Sequence, residues 1–320
     1  LLQTQLTSLK QQLSGELYDS ALVKSLYATD ASVYRELPYA VALPKTTADI
    51  KCLIEFAHSN ALSIIPRAAG TSLAGQCVGD GIVVDVSKYM NAILEINTQE
   101  QWVRVQPGVV RDELNTFLKP YGFFFGPNTS TANRCTMGGM VGNNSCGSTS
   151  IEYGSTRDHT LAIKAVLSDG SAVEFAALTK EEFNSKTKGN SLESSLYKQI
   201  YTELGNPIIR EQITEGYPKA SITRRNTGYA VDALMHSTVF EDTEETFNFS
   251  KLLCGSEGTL AFTTELKLQI VPLPKPFQVV LNAHFNSITE SLQATLVAMK
   301  LMPSACELMD KTILDCTKNN

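Results

Sequence analysis

A chain of 320 residues that is 43% hydrophobic can bury a sizeable core and has the length of about two domains. Its formal net charge of −6 and pI near 5.4 argue against a nucleic-acid-binding protein, which would carry a basic face. No apolar run has the length that spans a bilayer, and Leu1 to Gln12 is too polar for the core of a signal peptide. The first residue is Leu rather than Met, consistent with a processed, tagged or cut chain. Seven cysteines lie at 52, 77, 135, 146, 254, 306 and 316 with no C-x-x-C pair. They read as reduced thiols of a cytoplasmic protein and by default as small buried hydrophobes, not as zinc or iron–sulfur ligands.

Leu6, Leu9 and Leu13, then Leu22, Val23 and Leu26, recur at helical spacing, so the first forty residues are expected to be helical. Val41-Ala-Leu is a short strand closed by Pro44. Thr46 or Thr47 caps the next helix, whose Ile50, Leu53, Ile54 and Ala57 give one apolar face. Leu62-Ser-Ile-Ile and Gly81-Ile-Val-Val-Asp-Val are further strands, and together these elements suggest a small α/β layer. Beyond residue 97, Trp102-Val-Arg-Val-Gln alternates up to Pro107-Gly108. A helix follows with Val110, Leu114, Phe117 and Leu118 on one face. Ala162 to Leu167, Asp169-Gly170 and Ala172 to Phe175 read as a hairpin, and Gly258 to Val271 as a long alternating strand. Residues 177–250 are polar and less regular, and their acidic run at 241–245 reads as a solvated face. Pro272, Pro274 and Pro276 form a linker-like stretch, after which Phe277 to Phe285 is expected as a strand and 287–302 as a helix.

Three loops carry the chemical signal. Pro66-Arg-Ala-Ala-Gly-Thr-Ser-Leu-Ala-Gly-Gln76 follows a strand, and its glycines let backbone N–H groups converge on an anion such as a pyrophosphate. It is no P-loop, because Gly75 precedes Gln76-Cys77 rather than Lys-Ser or Lys-Thr. Taken alone, it could equally be an ordinary glycine-rich turn. Gly126-Pro-Asn-Thr-Ser-Thr131 and Cys135-Thr-Met-Gly-Gly-Met-Val-Gly-Asn-Asn-Ser-Cys-Gly147 combine glycines, asparagines and hydroxyls, suiting main chain pressed against a flat polar ligand. Gly255-Ser-Glu-Gly-Thr259 is the third.

The ordered set R-A-A-G-T-S, M-G-G-M-V-G-N-N-S-C-G, Y-G-S-T-R-D-H, N-T-G-Y and G-S-E-G-T resembles the FAD domain of the vanillyl-alcohol oxidase/p-cresol methylhydroxylase (PCMH) superfamily. Within it the chain is similar to the D-lactate dehydrogenase/glycolate oxidase-like branch, which includes D-2-hydroxyglutarate dehydrogenases. N-N-S-C-G and L-C-G-S-E-G-T-L resemble long members with an iron–sulfur domain after the flavin part. The resemblance covers roughly residues 20–275, and Glu307-Leu-Met-Asp310 is similar to the start of the family's cap.

The resemblance implies an α+β fold. A small α/β layer (1–97) and a larger, mainly antiparallel sheet with helices (98–275) would form a two-subdomain PCMH-type FAD-binding domain, and 276–320 would begin an α+β cap. It implies that Pro66, Arg67, Ala68, Ala69, Gly70, Thr71, Ser72 and Gln76 surround the FAD pyrophosphate, with Pro107 and Gly108 near the adenosine half. Thr131, Gly138, Gly139, Asn143, Ser145 and Gly147 would line the pyrophosphate, ribityl chain and ring edge. Tyr153 and Gly154 would pack nearby, the Ala162 and Ile163 backbone would meet the adenine, and Glu257 and Gly258 would close the site. Covalently flavinylated members place a His in the first loop. Here the stretch is Ala68-Ala-Gly-Thr, so FAD is expected non-covalently, with Cys146 read as a free thiol.

The implied reaction is hydride transfer from C2 of a D-2-hydroxy acid to flavin N5, with the electrons passed to an iron–sulfur or quinone acceptor. Any iron–sulfur cluster would lie outside this chain. No metal and no catalytic residue is assigned, because the family keeps its base in the cap, beyond residue 320. Of the four histidines, His58 reads as structural and His159 as support for a cofactor loop, while His236 and His284 have no evident partner. Arg224 and Arg225 read either as neighbours of the flavin or substrate or as a solvated basic turn. The alternative function is a flavin-binding electron-transfer or scaffold subunit. A cytoplasmic location leaves peripheral association at the inner membrane face open.

Overall fold

Consecutive rather than alternating apolar residues mark strands covered on both faces. Ala40–Leu43 (β2) and Ile82–Asp85 (β4) are such strands, buried at every position in the computed structural model, which describes residues 2–219, 221–222 and 224–318. With Glu16–Tyr18 (β1) and Ile64–Arg67 (β3) they form a sheet of order β1-β2-β4-β3, in which β2 and β3 run parallel to β4 and β1 pairs antiparallel to β2. The crossover from β2 to β3 is the helix Thr47–Ser59. It starts at Thr46, whose hydroxyl accepts from the Asp49 N–H while the Asp49 carboxylate accepts from the N–H groups of Lys45, Thr46 and Ser14. Ile50, Leu53, Ile54 and Ala57 are buried, as their spacing predicts, and join a core with Leu6 and Leu9 of the helix Leu2–Gln12.

The first forty residues are less helical than expected. β1 interrupts them, and Leu22 and Leu26 are 72% and 67% exposed, so their helical spacing marks no core face.

The second sheet is antiparallel throughout. Its order is β5-β6-β10-β8-β9, from Ile93–Asn97 (β5), Trp102–Val105 (β6), Thr160–Val166 (β8), Ala172–Phe175 (β9) and Phe262–Gln269 (β10). Phe123–Phe124 (β7) pairs separately with Val271–Pro272 (β11). Strict alternation of buried and half-buried residues along β10 sets which face meets the core. The predicted hairpin is β8–β9, turned at Gly170 with φ +80°, a conformation that favours glycine. Val166 and Phe262 of this sheet pack into the core of the first, so the two layers meet through apolar side chains.

Two expectations are corrected. Residues 177–250 contain the helices Lys180–Lys186, Leu192–Leu204 and Pro207–Gly216. They bury few apolar residues each, Phe183 in the first and Tyr197 and Leu204 in the second, too few to give a visible period. Phe183, Tyr197, Phe247 and Phe249 meet edge to face, with ring centroids 4.7 Å apart for Phe183–Phe247 and for Tyr197–Phe249. Phe277 to Phe285 forms no strand: it has no pairing partner, and Phe277 and Val279 are 92% and 96% exposed. The following helix, Ile288–Ala298, is capped by Ser287 and buries none of its residues. Among the described residues, no helix is long and apolar enough to cross a membrane.

Phe247→Ala is expected to lower unfolding stability by about 3–5 kcal/mol through the cavity it leaves, whereas Phe277→Ala should change it by less than about 0.5 kcal/mol. Urea titrations followed by circular dichroism distinguish the two; equal midpoints for both variants would contradict this account of the core.

Candidate functional site

In open α/β sheets, ligands meet the carboxyl ends of the strands. β3 ends on Arg67, and the loop that follows bends through Gly70 (φ +66°) and Gly75 (φ +77°). Arg67 is fixed from beneath: its Nη1 donates to the Tyr27 carbonyl at 3.3 Å, and its guanidinium lies 5.1 Å from the centre of the Tyr27 ring. Tyr27 in turn donates its hydroxyl to Asp85 Oδ2 at 2.8 Å. Among the described residues, the N–H groups of Ala69, Gly70, Thr71 and Ser72 find no protein acceptor. Four consecutive free donors in a bent loop suit an anion.

The second loop leads into the short helix Met137–Gly142, capped by the Thr136 hydroxyl. Its glycines divide into two kinds. A Cβ on Gly138 would stand 2.5 Å from Pro107 Cβ, and one on Gly147 would stand 2.4 Å from Asn128 Oδ1, so both are there for close packing. A Cβ on Gly139 would be 3.4 Å from Ala68 Cβ, in ordinary contact, and a longer side chain would extend into the space between the two loops. Asn143 Nδ2 donates to Ser145 Oγ at 3.1 Å.

The third loop is locked to the second by main chain: Gly255 N–H donates to Val141 O at 3.0 Å and Glu257 N–H to Gly142 O at 2.8 Å. Gln76 Nε2 donates to Glu257 Oε1 at 3.3 Å, which ties the first loop to the third. Arg157 stands behind them, 8% exposed. It donates from its N–H to Asn144 Oδ1 at 2.9 Å, from Nε to Lys251 O at 2.9 Å and from Nη2 to Cys254 O at 2.5 Å. Burial lowers the Arg157 pKa from its ordinary value and raises that of the Cys254 thiol.

The three loops enclose one cavity of about 1170 Å³. Pro66 to Ser72, Gln76, Pro107, Thr131, Gly138, Gly139, Asn143, Ser145, Gly147, Glu257 and Gly258 all line it. Gly108, Tyr153, Gly154, Ala162 and Ile163 do not. Gly108 is wedged against the Val86 and Met90 carbonyls, and Tyr153 packs edge-on against Phe124. Gly154 turns with φ +64° beside Asp158, and Ala162 and Ile163 are buried in β8.

Sequence reasoning missed several lining residues. Leu26, Thr29, Asp30 and Ala31 form a wall from the N-terminal segment, anchored by Ala31 N–H to Gly70 O at 3.1 Å. No local signal marks them, because the contact is made across forty residues of sequence. Arg134, Cys77, Cys135 and Cys146 also line the cavity, as does Glu307 from the C-terminal segment. No histidine does. His159 is buried with Nε2 2.7 Å from Tyr153 O and Nδ1 3.2 Å from Gln269 O, and His236 pairs with Glu241. Arg225 pairs with Asp232.

Residues 38–176 match the family model of an FAD binding domain. The chain is 39% identical to a D-2-hydroxyglutarate dehydrogenase of Pantoea ananatis over 99% of its own length and 30% of that protein's. The chain thus contains an FAD binding domain and is similar to the FAD-linked D-2-hydroxy-acid dehydrogenase branch of the PCMH superfamily. It is also 27% identical to the glycolate oxidase subunit GlcD of Bacillus subtilis, over 95% of this chain and 53% of that one. A solved alkyldihydroxyacetonephosphate synthase shares the fold with a TM-score of 0.59 at 17% identity, over 90% of this chain and 44% of that one. The chain thus spans 30% of the length of the D-2-hydroxyglutarate dehydrogenase it matches.

The matched family model is that of an FAD binding domain, and the cavity fits FAD. Its volume exceeds the roughly 300–1,000 Å³ of sites for smaller ligands, and it offers a row of unpaired N–H donors suited to an anion such as a pyrophosphate.

Gly138→Ala is expected to destabilise the fold by about 1–3 kcal/mol, because Pro107 must move, and thermal melts should show it. The Cys77 thiol is pushed up to about 11, chiefly by burial, so it stays protonated and unreactive below that pH. Alkylation at pH 8 followed by mass spectrometry should therefore mark the exposed Cys306 and Cys316 well before Cys77; equal labelling would contradict the burial.

Proposed function

We propose that this chain is the FAD-binding part of an enzyme that oxidises a D-2-hydroxy acid, and that the cavity residues hold the cofactor non-covalently. The observation that carries this reading is the convergence of three separate glycine-rich loops on one cavity, in a chain similar to proteins named for that chemistry. The N–H groups of Ala69 to Ser72 receive the pyrophosphate, and Arg67, held by Tyr27, sets the positive field beside it. Asn143 and Ser145 present amide and hydroxyl groups to the polar edge of the ring system, and the Gln76–Glu257 hydrogen bond holds the first and third loops together across it. When bound, FAD supplies the hydride acceptor, and the protein's part is to orient it and exclude water.

We assign 1–97 and 98–275 to the two subdomains of this FAD domain and 276–320 to the beginning of a substrate-binding cap. The exposure of Phe277, Val279, Val280 and Leu281 supports a segment whose packing partner is another part of the cap. The reading extends to an iron–sulfur or quinone acceptor, held outside this chain, and to a cytoplasmic protein working at or near the inner membrane face.

Anaerobic addition of D-2-hydroxyglutarate, D-lactate or glycolate to the FAD-loaded protein is expected to bleach the flavin absorption with one of the three. A flavin unmoved by all three would favour an electron-transfer subunit, and a chain that takes up no FAD would overturn the cavity assignment itself. Gly139→Asp should keep the apoprotein fold while weakening FAD binding at least about tenfold, because the new carboxylate enters the cavity against a pyrophosphate; FAD fluorescence quenching measures it.

A further inference from the structure

We propose that Asn226 is a positioning residue for the FAD cavity: its side-chain amide holds the Asn143–Asn144 turn so that Asn143 and Ser145 face the cofactor. This inference rests on the cofactor reading of the cavity. Asn226 does not line the cavity, and it lies on an exposed strap, Arg224 to Tyr229, that crosses behind the second and third loops.

The geometry is reciprocal. Asn226 Nδ2 donates to Asn143 O at 3.2 Å and to Asn144 O at 3.4 Å, while its Oδ1 accepts from Asn144 Nδ2 at 3.1 Å. Among the described residues, no other donor reaches those two carbonyls. Asn144 itself is 1% exposed and sits at φ +47°, in the left-handed region that asparagine tolerates better than most residues. Its Oδ1 accepts the Arg157 N–H, so its amide is committed on both sides. The Asn143 and Asn144 carbonyls are therefore held from outside by one amide, while the Arg157 N–H holds Asn144 Oδ1 and Thr156 holds the Ser145 carbonyl.

The strap has its own anchors. Arg225 pairs with Asp232, the Tyr229 hydroxyl lies 2.7 Å from Thr259 Oγ1, and the Tyr217 hydroxyl donates to Tyr229 O at 2.5 Å. Gly255, at φ +89°, leaves room for the Arg157 guanidinium behind the amide pair, since a Cβ there would stand 2.9 Å from Arg157 Nη2. Removing the Asn226 donor should therefore loosen the turn without dismantling the strap.

The test compares Asn226→Asp, which keeps the shape and the acceptor but loses the donor, with Asn226→Ala and with Tyr217→Phe, which releases only the outer face of the strap. FAD affinity by fluorescence quenching, the visible spectrum of the bound flavin and the melting midpoint of the apoprotein are measured for each. Both Asn226 variants are expected to bind FAD about tenfold more weakly, with a shifted flavin spectrum and an apoprotein midpoint within about 2 °C of the parent. Tyr217→Phe is expected to bind FAD like the parent. Unchanged affinity and spectrum in Asn226→Asp would overturn the proposal, as would an equal loss in Tyr217→Phe, which would trace the effect to the strap as a whole. A parent protein that binds no FAD would instead overturn the cofactor reading.

Discussion

The buried guanidinium of Arg157 is the interaction on which the site's shape depends. A cation taken from water is costly unless its donors are met, and here they are met by main-chain carbonyls rather than by a carboxylate. Lys251 lies beside it, half-buried, donating to the Arg157 and Thr160 carbonyls, and desolvation lowers the pKa of both cations. Carbonyls at the ends of short helices have no partner within the helix, and two cations satisfy several of them at once. This fixes residues 251–254 against 157–160, and the Asn144 side chain against the Arg157 N–H. The Gly255–Gly258 loop and the Asn143–Ser145 turn then have little freedom left. Both border the cavity.

From that anchor the two layers complete the site from opposite sides. The parallel sheet delivers Arg67 and a loop of free N–H donors at the end of β3, and the antiparallel part delivers the glycine-rich helix and the turn after it. Glycine serves two separate ends there. At 138 and 147 it lets backbones approach, and at 139 it leaves the cavity open. The N-terminal segment adds a wall through Tyr27 and Ala31, placing the cavity beneath residues far apart in the chain.

Legibility followed the range of the forces involved. The helix Thr47–Ser59 showed its cap and its apolar face in adjacent residues, and the β8–β9 hairpin showed its turn, because both are specified within about a dozen positions. The helices Lys180–Lys186 and Leu192–Leu204 did not show, since they pack through aromatic contacts with Phe247 and Phe249, distant in sequence. Phe277 to Phe285 looked like a strand because β-prone residues mark a pleated, half-buried surface, and no neighbouring strand supplies one here.

The amino-acid sequence by itself determined the family resemblance, the cofactor class and the three loops, because glycines, hydroxyls and amides in fixed order are local chemistry. Most of the residues that it assigned to the cofactor line the cavity. Only the tertiary structure decided which of those residues turn toward the cavity and which do not: Ile163 turns into the core and Tyr153 packs against Phe124. It also decided that Leu26, Thr29, Asp30, Ala31 and Glu307 join the wall. The reason is physical: side-chain direction depends on packing against partners that adjacent residues do not encode.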